Sequence, residues 1–171
     1  MKSILLLLLT TTIIYANELE INSFKASFIQ TVTNDKGNSL KYKGRVVASK
    51  PQNMLWSYTF PAKKEIIINN YKVTVIEHDI EQVQIRNIQG DFDFFKILKN
   101  AKKIKENVYI AKFNEIQYTI KLNLHQISSI SYLDALENHI LIVFTEQKQN
   151  IMIDKTIFSP KIPTDFDVIR G

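Results

Sequence analysis

Along most of this chain, apolar side chains recur at every second position. From Asn53 to Phe60, Met54, Trp56, Tyr58 and Phe60 share one parity, and Leu55, Ser57 and Thr59 share the other. Such alternation predicts a strand with two unlike faces. Pro51 and Pro61 bracket it, as proline does at strand ends. Residues 24–33 and 40–49 alternate likewise, with Phe24, Ala26 and Phe28 in the first and Leu40, Tyr42, Val46 and Ala48 in the second. The cluster Asn34-Asp35-Lys36-Gly37-Asn38 between them has turn composition, so the pair predicts a hairpin. Further runs predict strands over 66–68, 71–76, 81–88, 108–113, 117–125, 126–132, 139–145 and 150–153, with turns at Asn69-Asn70 and His78-Asp79.

Between residues 90 and 104 the period changes. Phe92, Phe94, Phe95, Leu98, Ala101 and Ile104 are apolar, and Lys96, Lys99, Lys102, Lys103 and Lys105 are interleaved. The spacing of Phe94, Phe95, Leu98 and Ala101 predicts one helix with an aromatic face and a basic face, N-capped by Asp91. Residues 18–24 predict a second, short amphipathic helix, and the proline-interrupted tail is expected to be tied down by Phe158 and Ile162. About ten short strands with one inserted helix predict a large, curved antiparallel sheet. A sheet that size must curl, close or be covered, and the two helices are the natural cover.

The first residues bear on compartment. Met1-Lys2, the apolar run Ile4–Leu9, its weaker continuation to Tyr15 and the small Ala16 read as a secretory signal peptide over 1–16, cleaved near Ala16. The mature chain, 17–171, is then one exported domain. It has no cysteine, so neither a disulfide nor a lipid on its own terminus is available, and stability must come from a buried core. Without Lys2 the 22 basic residues fall to 21 against 17 acidic ones, a net charge of +4. That excess suits an anionic membrane surface or an acidic partner, and export argues against nucleic acid. His78, His125 and His139 are scattered, and there is no metal-binding spacing, GxSxG or phosphate loop. The sequence therefore predicts no cofactor, no metal and no enzyme, and what remains to act is apolar surface. The ladder Met54/Trp56/Tyr58/Phe60 is either ordinary core or the wall of a space for an apolar ligand. Likewise the lysine face of the helix is either a solvated face or the mark of a helix that lies on a membrane or opens as a lid.

Taken in order, Phe24-Lys-Ala-Ser-Phe28-Ile-Gln30, Tyr42-Lys-Gly44, Lys50-Pro51 with Trp56, Pro61, Tyr71-Lys-Val-Thr-Val, Asp79-Ile-Glu-Gln82-Val and the tail Pro160–Ile169 resemble the LolA family of periplasmic lipoprotein carriers. The likeness spans nearly the whole mature chain and is densest from 22 to 83. It implies an unclosed half-barrel lidded by short helices over an apolar cavity, with the fold mainly β. It implies a periplasmic chaperone that takes acyl chains of lipoproteins from an inner-membrane ABC-type transporter to an outer-membrane acceptor, or to the outer membrane directly, as a monomer. The alternatives are a half-barrel that carries free lipid or senses mislocalised lipoproteins, and a hydrolase with an unrecognised site. On the leading reading Phe28, Met54, Trp56, Tyr58 and Phe60 line the cavity and Phe92, Phe94, Phe95 and Leu98 form the lid. Where the family often has an arginine that latches the lid, this chain has Lys50, which keeps the charge but loses the planar fork. Thr74 stands where the family often has an aromatic.

Overall fold

The computed structural model describes residues 19–87 and 93–171. The stretch 1–16, Asp91 and Phe92 lie outside the described residues. Twelve strands form one sheet: β1 (Ser23–Thr33), β2 (Ser39–Ser49), β3 (Asn53–Phe60), β4 (Lys64–Asn69), β5 (Lys72–Glu77), β6 (Gln82–Asn87), β7 (Lys102–Lys105), β8 (Val108–Phe113), β9 (Ile116–Asn123), β10 (Gln126–Leu133), β11 (His139–Gln149) and β12 (Asp167–Arg170). Their spatial order is β12-β6-β5-β4-β3-β2-β1-β11-β10-β9-β8-β7, and the end strands do not pair with one another, so the sheet is unclosed. It is antiparallel except at β12, which runs parallel to β6. The predicted hairpin is β1–β2, turned by Asn34, whose Oδ1 accepts from the backbone N–H groups of Lys36 and Asn38.

Register explains the core. Phe24, Ala48, Met54, Ile68 and Val73 line up across five strands, and Ala26, Val46, Trp56, Ile66 and Val75 form the next row. Farther along the sheet Ile142, Ile130 and Ile120 continue the same face. This face holds the main buried cluster. The reverse face holds a smaller one, Ile67, Ile76 and Val83, packed against Leu55, Ile85, Phe166 and Val168. The C-terminal segment covers it, with Phe158 buried and its carbonyl oxygen accepting from Asn69 Nδ2. Ile162 is 37% exposed, against 1% for Phe158. Thr74 pairs with Ile67 and Ile85, which places it on this reverse face.

Three expectations are corrected. The helix over 90–104 is α1 (Phe94–Lys99), only six residues long, and Lys102–Lys105 pairs with β8 as edge strand β7. A helix this short has little stability of its own, and strand pairing beyond it competes successfully. Its N-cap is Asp93, whose Oδ1 accepts from Lys96 N–H at 3.0 Å. The expected helix over 18–24 is absent from its described part: Leu19 and Ile21 are buried from an irregular segment, and Phe24 belongs to β1, where its parity matches Ala26 and Phe28. Residues 150–153 are not a strand; β11 ends at Gln149, and the chain leaves the sheet there. No described helix is long and apolar enough to cross a membrane.

Candidate ligand cavity

Between α1 and the sheet lies a cavity of about 310 Å³. Its lining runs from β6 to β9, strands far apart in the sheet order, so the sheet is curled around it. Ile66, Ile68 and Val73 form one side, Ile130 and Ile142 another, and Trp56, Tyr58 and Phe144 lie between. Phe94 and Ile97 of α1 cover it. A chain of ring contacts ties cover to wall: Phe94 to Phe24 at 5.5 Å, Phe24 to Phe144 at 5.2 Å, and Phe144 to Trp56 at 6.5 Å. Aromatic rings of this kind offer large apolar area to a ligand.

The polar groups are few. Tyr58 O–H donates to Gln30 Oε1 at 3.0 Å. Burial holds the Tyr58 phenol well above its ordinary value, with the neighbouring Tyr132 and Tyr42 adding to the effect. Burial also raises Tyr118, and it pushes Tyr132 up to about 12 with help from Tyr118 and Asp134. All are neutral at physiological pH. Trp56 Nε1–H donates to Met54 Sδ at 2.6 Å, which satisfies the indole and leaves its ring to the cavity. Among the described lining residues only Arg86 carries a charge, and it makes no ion pair within the described chain. No group of metal ligands occurs among the described residues.

The expected site residues separate into groups. Trp56, Tyr58 and Phe94 line the cavity. Phe28 and Met54 are buried within the sheet's core, Phe28 edge-on to Trp56 at 4.8 Å and to Tyr58 at 5.2 Å, so they support the wall from below. Phe60 does not line it: it is 52% exposed, with Lys43 Nζ 6.0 Å from its ring centroid. Phe95 and Leu98 are buried in the main core, and Phe95 also borders a crevice beside the N-terminal segment. Phe92 lies outside the described residues. Lys50 reaches the N-terminal segment, its Nζ donating to Asn22 Oδ1 at 2.9 Å. The opposite wall and Arg86 escaped sequence reasoning. A signal for Arg86 exists: on β6 Val83 and Ile85 take the reverse-face parity, which puts Gln82, Gln84 and Arg86 on the cavity side.

The family model described as "Outer membrane lipoprotein carrier protein LolA" matches residues 20–115. An outer-membrane lipoprotein carrier protein of Campylobacter jejuni is 41% identical over 157 residues, 92% of each chain. The chain belongs to the LolA family. A further LolA relative, an outer-membrane lipoprotein carrier protein of Wolinella succinogenes, is 31% identical over 151 residues, 88% of each chain. Among solved structures, a LolA superfamily protein from Nitrosomonas europaea superposes with a TM-score of 0.52 at 11% identity, covering 82% of this chain and 93% of its own. An uncharacterized conserved protein from Thermus thermophilus gives 0.56 at 13% identity, covering 91% and 94%. These two likenesses concern the fold. The fold class expected from the sequence, mainly β with an unclosed sheet, is the one observed; of the expected lid of short helices, α1 is the one α-helix among the described residues.

Proposed function

We propose that this protein is a periplasmic carrier of lipoproteins and not an enzyme. It binds the acyl chains of lipoproteins released from the inner membrane by an ABC-type transporter and carries them to the outer membrane, or to an acceptor there, as a monomer. Residues 1–16 serve as its cleaved signal peptide, and 17–171 as one carrier domain. The observation that carries this reading is the apolar cavity under α1 in a LolA-family chain. Three chains of about 16 carbons expose on the order of 48 methylenes, which cost roughly 38 kcal/mol in water at about 0.8 each. A soluble route between membranes therefore needs a sheltering sleeve. Trp56, Tyr58 and Phe94 supply its surface, with Phe28 and Met54 packed behind them. Phe95 and Leu98 anchor the cover, and Lys50 steadies the N-terminal segment beside it.

One observation favours a second reading, carriage of free lipid. Arg86 offers a guanidinium at the edge of an apolar cavity, a suitable partner for a fatty-acid carboxylate. Depleting the protein and locating lipoproteins separates the two. On the leading reading they accumulate in the inner membrane; unchanged sorting would sink it. Displacement of a fluorescent acyl probe tests the cavity itself, and lipid recovered with protein isolated from periplasm identifies the cargo.

A further inference from the structure

The outer face of α1 is basic. Phe94, Phe95, Ile97 and Leu98 are buried, whereas Lys96 and Lys99 face solvent. Two crevices meet at Lys99. One, beside the N-terminal segment, also holds Lys50, Lys96 and Tyr71; the other, beside edge strand β7, holds Lys102, Lys112 and Ile104. Five lysines thus form one band across the cover of the cavity. Its acidic members are Glu20 and Asp93. Asp93 is 4% exposed and occupied as the cap of α1, with Lys96 at 3.6 Å. The band also exposes apolar surface at both ends, Tyr71 at 66% and Ile104 at 56%.

We propose that this band docks the protein on an anionic phospholipid surface. Lysines near such a surface are attracted additively by its potential, and tyrosine and aliphatic side chains settle at headgroup level. The chemistry favours lipid over an acidic protein. Lysine is depleted from protein–protein interfaces, and the band has no arginine to grip a carboxylate with two parallel hydrogen bonds. Five flexible point charges instead match a diffuse, mobile sheet of phosphates. The placement matters because the same helix roofs the cavity, so docking sets the roof against a bilayer. Binding itself does not depend on the carrier reading.

Sedimentation with phosphatidylcholine vesicles, with and without phosphatidylglycerol, tests this. The expected result is binding only where phosphatidylglycerol is present, falling at least tenfold when salt is raised to about 0.5 M, where screening is nearly complete over a few ångströms. The variant Lys99→Glu/Lys102→Glu/Lys112→Glu should lose at least tenfold. Lys36→Glu/Lys41→Glu/Lys155→Glu, with the same change in net charge elsewhere, should retain binding. Failure of the protein to sediment with phosphatidylglycerol vesicles overturns the proposal, as does equal loss in both triple variants. Cooperative thermal unfolding of the first variant shows that it is folded, and acyl-probe affinity, measured separately on the unaltered protein, keeps failure here apart from failure of the carrier reading.

Discussion

Gly44 shows how tightly the wall is built. It pairs with Tyr58 across β2 and β3, beside a register shift at Lys43, and with Phe28 across β1. A Cβ there would run into the Ser57 carbonyl oxygen and come within 2.9 Å of Phe28 Cζ. Backbone cannot yield cheaply, so Gly44→Ala should cost about 3 kcal/mol in urea unfolding. Gly37→Ala meets no neighbour and suffers only its positive φ, so about 1 kcal/mol is expected. Equal costs would mean that the β2–β3 contact is looser than described. Trp56 and Phe60 form a second contrast. Losing the buried part of an aromatic ring is worth about 1.5–3 kcal/mol, so Trp56→Ala should weaken acyl-probe binding roughly 10- to 100-fold. Phe60→Ala, outside the cavity, should stay within about twofold. Tyr132 sets a pH limit. Its folded-state pKa of about 12 exceeds the ordinary 10, so the folded protein keeps a proton that the unfolded chain has lost. Its contribution is complete below pH 10 and disappears as pH rises through about 12. Melting temperature should fall across that window, and less steeply in Tyr132→Phe.

Among the elements, α1 depends on its surroundings. Six residues cannot sustain a helix in water, so its existence rests on four buried apolar side chains and on the Asp93 cap. Asp93→Ala should remove about 1 kcal/mol from that cap, and Asp93→Asn should keep most of it. Hydrogen exchange at Lys96 and Ile97 should then quicken in the alanine variant while β1 and β11 are unaffected. The same element shows where sequence reasoning runs out. Ala101 and Ile104 keep helical spacing after Leu98, yet the helix ends at Lys99, Ala101 lies between it and the sheet, and pairing of Lys102 with Ile110 carries Ile104 into β7. Local period cannot weigh a partner strand it does not contain. β12 was hidden for a related reason, because its parallel partner β6 lies 85 residues earlier, Asp167 pairing with Gln82. Trp56 and Tyr58 were legible because alternation fixes a face. Phe60 shares their parity but lies past the register shift, where its ring is left to solvent. The far wall of the cavity was not legible at all, since what faces β3 across a curled sheet depends on curvature rather than on any run of residues.

For the whole molecule, the question is how much cargo the cavity admits. Pockets for drug-sized ligands span about 300–1,000 Å³, and this one, at about 310 Å³, stands at the lower bound. That is no more room than a single acyl chain needs, so two or three require α1 to lift or the sheet to spread. The chain's single tryptophan lies in the cavity wall, so it reports occupancy without a label. A fatty acid brominated along its chain should quench Trp56 emission and saturate at one ligand per protein, because bromine quenches only at close contact. A brominated diacyl lipid should quench as well but also accelerate exchange in α1, which the single chain leaves unchanged. Quenching with both and faster exchange with neither would mean that the cavity enlarges through the sheet. An acyl ligand that binds while Trp56 emission stays constant would place the chains elsewhere and remove the cavity from the mechanism.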